Sequence, residues 1–316
     1  MTPRVSVVVA THDRPERLGR LLESLRGQTA PADAFEVVVV DDGSGPATTQ
    51  ALEGEVERGG LNLRVVRRAA AAGPSAARNE GWRAARAPLV AFVDDDCVAT
   101  PAWLDAALAT AAAAPGAIVQ GRTLPEPGVA VGPFSRSLWV EAQGPYYQAC
   151  NIVYPRELLD RLGGFDAEAF PFVGEDTDLA WRAFAAGADA RFAPDALVHH
   201  AVVDLGPLGK LRMAARWTPS IRLFARHRAL RAEHLTYGVF WKGSHYLLVR
   251  ALVGLALRRR ARPLALWLAA PYARHLLERG RTDGGGPLAA PFHAVHDVVE
   301  LVAVARGAVR YRTPVV

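Results

Sequence analysis

The chain reads as an α/β protein, with a mostly parallel sheet and flanking helices, followed by a basic α-helical region. Three observations predict this. Short valine-rich runs alternate with helical leucine stripes over the first two thirds. Three of those runs end in polar or acidic residues, as strands do when a ligand crevice lies beyond their carboxyl ends. The charge then reverses: residues 1–200 carry 18 Lys+Arg and 26 Asp+Glu, net −8, whereas residues 201–316 carry 19 and 6, net +13. The expected division is residues 1–205 and 206–316, with the basic part facing something anionic.

Composition excludes several classes. Half of the 316 residues are hydrophobic and 22% are charged, a globular balance. Two cysteines, Cys97 and Cys150, form no disulfide framework and no CxxC site, which fits a reducing compartment and a cytoplasmic location. The first apolar run, 5–10, is too short for a signal-peptide core, and no stretch reads as a confident membrane span.

Residues 5–10 are the first buried strand. Asp13 to Glu16 looks like a helix cap, with Asp13 as N-cap and Pro15 in the first turn; Leu18, Leu21, Leu22 and Leu25 give the helix's apolar stripe. Residues 35–40 form the second strand and run into Asp41-Asp42-Gly43-Ser44-Gly45. Asp42 could accept hydrogen bonds from a base or ribose, or serve as an ordinary turn residue. A third strand covers 63–66, and Gly73-Pro74 opens a helix carrying Arg78, whose forked donors suit phosphate or an acidic cluster.

Residues 89–93, LVAFV, are the fourth strand, and Asp94, Asp95 and Asp96 follow. Three carboxylates cannot sit unpaired inside a buried strand, so they lie just past its end. Carboxylates one or two residues apart on a turn can converge on a hard divalent cation such as Mg²⁺ that also holds substrate phosphates; a solvated acidic turn is the plainer reading. There is no GxGxxG and no P-loop. A helix over 100–114, a strand over 117–121, an irregular crossover over 128–144, a strand over 150–154 and a helix over 156–162 follow. Glu175, Asp176 and Asp178 then crowd the first turn of another helix, more acid than capping requires.

The ordered set VSVVVATHDRPERL, VVVVDDGS, GPSAARNEGW, VAFVDDDC, GGFD and GEDTDLAWR resembles the family 2 inverting glycosyltransferases over about residues 5–200. The resemblance implies the GT-A fold, a Rossmann-like nucleotide-sugar architecture, and transfer from a nucleoside-diphosphate sugar. It implies that Ala10, Thr11 and Asp42 line the base site and that Arg78 lies near the diphosphate. Asp94 and Asp96 match the DxD pair that holds Mg²⁺ or Mn²⁺, Asp96 foremost, and Asp95 sits between them near the donor. Asp176 matches the catalytic base and Glu175 its acidic neighbour. His200, or the adjacent His199, matches a histidine that completes the metal shell in some members. The acceptor expected is a saccharide or lipid-linked saccharide. A nucleotidyltransferase, or a non-catalytic nucleotide-sugar scaffold, remains the alternative.

Over 210–231 seven basic residues interleave with apolar ones in a helical pattern. Apolar stretches at 246–257 and 264–273 flank Arg258, Arg259, Arg260 and Arg262, and a third helical stretch covers 295–309. Apolar faces edged by arginine, with tryptophan and tyrosine, suit peripheral attachment to the inner face of a membrane. A helical subdomain packed on protein is the alternative. No nucleic-acid reader motif is present.

Overall fold

Proline opens three of the first helices and valine fills the strands between them, so the local preferences of the chain agree with its architecture. The computed structural model describes residues 2–316. Its strands are β1 (Val5–Thr11), β2 (Phe35–Asp41), β3 (Leu63–Arg67), β4 (Leu89–Val93), β5 (Cys97–Ala99), β6 (Ile118–Pro125), β7 (Ser135–Arg136), β8 (Asn151–Pro155), β9 (Ala190–His200) and β10 (Val203–Asp204). The first six helices are α1 (Pro15–Arg26), α2 (Pro46–Arg58), α3 (Pro74–Ala84), α4 (Trp103–Ala113), α5 (Arg156–Leu162) and α6 (Glu175–Ala185). The chain separates into two units: Met1–Gly128 with Ser137–Ala201, and Val129–Arg136 with Val202–Val316.

In the first unit an eight-stranded sheet has the order β3-β2-β1-β4-β8-β6-β9-β5. The strands β3, β2, β1 and β4 run parallel, as the alternating pattern predicts. β8 instead runs antiparallel to both β4 and β6, and β5 pairs antiparallel with β9. Alternate residues of β1 point to opposite faces. Val5, Val7 and Val9 join Leu18, Leu21, Leu22 and Leu25 of α1 on one side. Val8 joins Ala77 and Trp82 of α3 and Leu179 of α6 on the other.

Two registers place the site. Val8 lies opposite Phe92, so extending the parallel pair by three residues brings Thr11 beside Asp95. Cys97 lies opposite His200, so β9 delivers its last residue next to Asp96. Close packing positions α3 as well: a Cβ on Gly81 would come 2.4 Å from Val8 Cγ1, so only glycine lets the helix sit this near β1.

The second unit contains α7 (Gly206–Ala215), α8 (Ile221–Arg226), α9 (Arg228–His234), α10 (Gly243–Leu257), α11 (Arg262–Thr282) and α12 (Ala290–Tyr311). The single helix expected over 210–231 is broken. Pro219 has no N–H to continue it, and a short 3₁₀ turn covers Thr218–Ser220. A polar stripe of α12, namely His293, His296, Asp297 and Glu300, is buried. Asp297 accepts from Arg279 Nη1 (2.9 Å) and Tyr272 Oη (3.1 Å), and Glu300 from Lys242 Nζ (2.6 Å). By length and composition the stretch 287–311 is long and apolar enough to cross a membrane, and the helix expected over 295–309 lies within it.

Candidate active site

The acids that end the buried strands are held by arginines. Thr11 Oγ1 donates to Asp95 Oδ2 at 2.8 Å, as the β1–β4 register dictates. Arg14 Nη1 lies 2.9 Å from Asp95 Oδ1 and 3.3 Å from Asp96 Oδ2, and Arg17 Nη1 lies 3.5 Å from the same Asp96 oxygen. Burial pushes the Asp95 carboxyl up to about 6; the Arg14 charge opposes the shift and the Asp96 charge adds to it.

Arg78, buried on α3, joins two parts of the chain. Its Nη2 donates to Asp94 Oδ1 at 2.7 Å and its Nη1 to Glu175 Oε1 at 2.8 Å. Burial opposes its charge, but Asp94 and Glu175 outweigh that and hold the guanidinium protonated. Asp176 follows in the first turn of α6. Its Oδ1 accepts from the Thr177 N–H at 2.7 Å and its Oδ2 from the Ala149 N–H at 3.3 Å. Burial, and then the neighbouring Glu175 charge, push the Asp176 carboxyl up to about 7; the two N–H groups and Arg78 act the other way. A carboxylate near neutrality is suited to take and release a proton.

Asp42 is buried and turned inward. It accepts from Gly73 N–H at 2.8 Å and from Ala72 N–H at 3.1 Å, and lies 2.9 Å from Arg68 Nε. It therefore orders loop 70–73 after β3. The turn after β2 packs so closely on that loop that a Cβ on Gly43, at φ 70°, would meet Ala71 N at 2.6 Å. Ala10 is half-buried near the end of β1. Asp13 is not the N-cap of α1. That position is Arg14, without a side-chain cap, and Asp13 (φ 52°) instead accepts from the Gly45 N–H at 2.7 Å. Asp13 thus ties together the loops after β1 and β2.

Among the described residues, two groups of three offer metal-ligating atoms that all lie within 4.8 Å of one another. One is Asp94, Asp96 and His200. His200 Nε2 lies 3.4 Å from Asp96 Oδ1, while its Nδ1 is 2.9 Å from the Ala201 carbonyl, a contact that fixes the ring. His199 points away, with Nδ1 3.3 Å from the Pro125 carbonyl. Strand alternation thus selects His200. Two hard carboxylates and an imidazole suit Mn²⁺ or Mg²⁺. The other group, His296, Asp297 and Glu300, belongs to the ion-paired interior of the second unit, where Arg279 and Lys242 already neutralise both acids.

Arg78 joins Asp94 to Glu175, with Asp96 and His200 beside Asp94 and Asp176 next to Glu175, so these residues lie together. The sequence reading missed Arg14 and Arg17. The acids that they meet lie about eighty residues further along the chain, so no local pattern linked them, and the capping pattern around Asp13 offered another role.

Residues 6–165 match the model described as glycosyl transferase family 2, and residues 149–275 match glycosyl transferase family group 2. The pre-mycofactocin glycosyltransferase of Mycobacterium tuberculosis (strain ATCC 25618 / H37Rv) is 31% identical over 211 residues, covering 62% of this chain and 42% of that protein. The chain thus spans less than half the length of that relative. Among solved structures, the mannosyltransferase PcManGT from Pyrobaculum calidifontis, in complex with GDP-Man and Mn²⁺, matches with a TM-score of 0.60 and 23% identity, covering 99% of this chain and 88% of that one. Residues 1–349 of S. aureus TarS, in complex with UDP, match with a TM-score of 0.56 and 19% identity, covering 98% and 92%. These likenesses show the GT-A fold.

Proposed function

The chain belongs to glycosyl transferase family 2, and from that premise we propose that it inverts the anomeric centre as it moves a sugar from a nucleoside-diphosphate donor to an acceptor hydroxyl. The acceptor class is a saccharide or lipid-linked saccharide. The observation that carries the reading is the run Asp94–Arg78–Glu175–Asp176, which sets a proton-accepting carboxyl beside the DxD acids.

Asp176 takes the proton of the acceptor hydroxyl as its oxygen attacks the anomeric carbon from the side opposite the leaving nucleoside diphosphate. The N–H groups of Ala149 and Thr177 hold that carboxylate in one orientation. Glu175 and burial keep it basic enough to accept. Asp94, Asp96 and His200 would hold Mn²⁺ or Mg²⁺, which when bound screens the charge that builds on the departing diphosphate. Arg78 orients Asp94, and the loops tied by Asp42 and Thr11 border the site for the base. A panel of UDP-, GDP- and dTDP-sugars with Mn²⁺ tests the reaction class. Release of nucleoside diphosphate with one of them is expected; release of pyrophosphate would mean nucleotidyl transfer instead.

For the second unit we propose peripheral contact with an anionic bilayer. Leu252, Val253 and Leu255 near the end of α10, and Leu264, Leu266 and Trp267 near the start of α11, are exposed on either side of Arg258, Arg259, Arg260 and Arg262. Each basic residue near anionic lipid contributes about 1 kcal/mol. The protein is expected to float with vesicles containing phosphatidylserine or phosphatidylglycerol, and Trp267→Ser with Leu266→Ser to float less. A protein that stays at the bottom of the gradient contradicts this contact.

A further inference from the structure

Each carboxylate of the Asp94-Asp95-Asp96 triplet already faces a guanidinium. Asp94 has Arg78 at 2.7 Å, Asp95 has Arg14 at 2.9 Å, and Asp96 has Arg14 at 3.3 Å and Arg17 at 3.5 Å. The arginines differ in placement. Arg78 is buried, whereas the Arg14 and Arg17 side chains are 43% and 35% exposed above acids that are only 5% and 8% exposed. Arg14 and Arg17 therefore cover Asp95 and Asp96 from the solvent side, at the start of α1.

Asp96 is also a member of the group with Asp94 and His200. A divalent cation that reaches Asp96 meets Arg14 on the same carboxylate, and like charges within about 4 Å repel strongly where water is scarce. Arg14 and Arg17 hold Asp96 by Oδ2 while Oδ1 faces His200, so an ion seated on Oδ1 is repelled by Arg14 and gains affinity once Arg14 swings away. A freed guanidinium needs an anion, and a diphosphate offers oxygens that match its fork.

We propose that Arg14, assisted by Arg17, is a positioning residue that occupies Asp95 and Asp96 until a nucleoside diphosphate takes it over, so that divalent cation and nucleotide bind cooperatively. The proposal rests on Asp94, Asp96 and His200 being the metal ligands. Coupling is reciprocal: nucleotide that draws Arg14 off Asp96 raises metal affinity by the factor by which metal raises nucleotide affinity. Each exposed arginine can swing between the two partners without disturbing the core.

The test is Mn²⁺ binding followed by loss of the free-ion EPR signal, with and without UDP or GDP. In wild-type protein the nucleotide that binds is expected to tighten Mn²⁺ binding by about tenfold, within the usual range of coupling between sites. Arg14→Gln is expected to bind Mn²⁺ about tenfold tighter than wild type without nucleotide, and to lose most of the nucleotide enhancement. Arg17→Gln, which loses one contact to Asp96 and none to Asp95, is expected to shift both quantities the same way by less. Circular dichroism establishes that each variant is folded. If the Gln variants bind Mn²⁺ no tighter than wild type without nucleotide, while all three bind it with nucleotide, this proposal is overturned and the metal reading stands. If no protein takes up Mn²⁺ even with UDP or GDP, the metal reading fails and this proposal with it.

Discussion

Asp176→Asn is expected to lower sugar transfer by 10²–10⁴-fold, the range that general-base catalysis supplies, while donor binding stays within a few-fold of wild type. Asparagine keeps the shape and, through its single carbonyl oxygen, acceptance from one of the two N–H groups of Ala149 and Thr177, but it cannot take the acceptor's proton. The same substitution has a signature in stability. An acid whose carboxyl is pushed up to about 7 in the folded protein, from about 4 in the unfolded chain, binds more protons when folded throughout that window. Stability from this group therefore falls as pH rises from about 4 to 7. Asn removes the penalty, so the variant should melt no differently near pH 4 and at a higher temperature than wild type at pH 8, a gain on the order of a few kcal/mol. Transfer assays and melting curves at the two pH values read both effects. A variant that retains more than a tenth of wild-type transfer would remove Asp176 from the role of base.

Arg78→Met is expected to cause the largest loss of stability of any single change at the site. Arg78 bridges Asp94 and Glu175, and removing it leaves two carboxylates facing one another without their cation. Breaking a buried ion pair from one side costs about 3–5 kcal/mol. Arg78→Lys keeps the charge but cannot fork to both acids, so it should recover part of the stability and little of the transfer. Urea denaturation measures the first and a donor assay the second. A loss below 1 kcal/mol for the Met variant would show that the bridge does not organise the two halves of the site.

The legible part of the fold was the part that repeats. Valine runs ending in Thr11, Asp41 and Asp94 gave away β1, β2 and β4, because strands buried on both faces are continuously apolar and must shed their polar residues at the ends. The acids at the start of α6 were legible because they exceed what a helix N-terminus needs. β9 was not seen because its run holds Pro194 and Asp195, which the sheet accommodates by a register shift between Gly121 and Arg122 of its partner β6. Whether His199 or His200 faces the acids depends on the pairing of β9 with β5, a contact about a hundred residues apart that no local pattern contains. Asp13 and Arg14 deceived for a related reason. Their order fits a cap, and only the neighbouring loops reveal that one binds Gly45 and the other the acids after β4.

Asp96, with Asp94 and His200, is expected to hold a divalent cation beside Asp176. Anomalous diffraction from crystals grown with Mn²⁺ and UDP or GDP tests it most directly. A manganese peak among Asp96, Asp94 and His200 is expected when nucleotide is bound. A manganese peak among His296, Asp297 and Glu300 of the second unit, with nucleotide bound and none at Asp96, would contradict it.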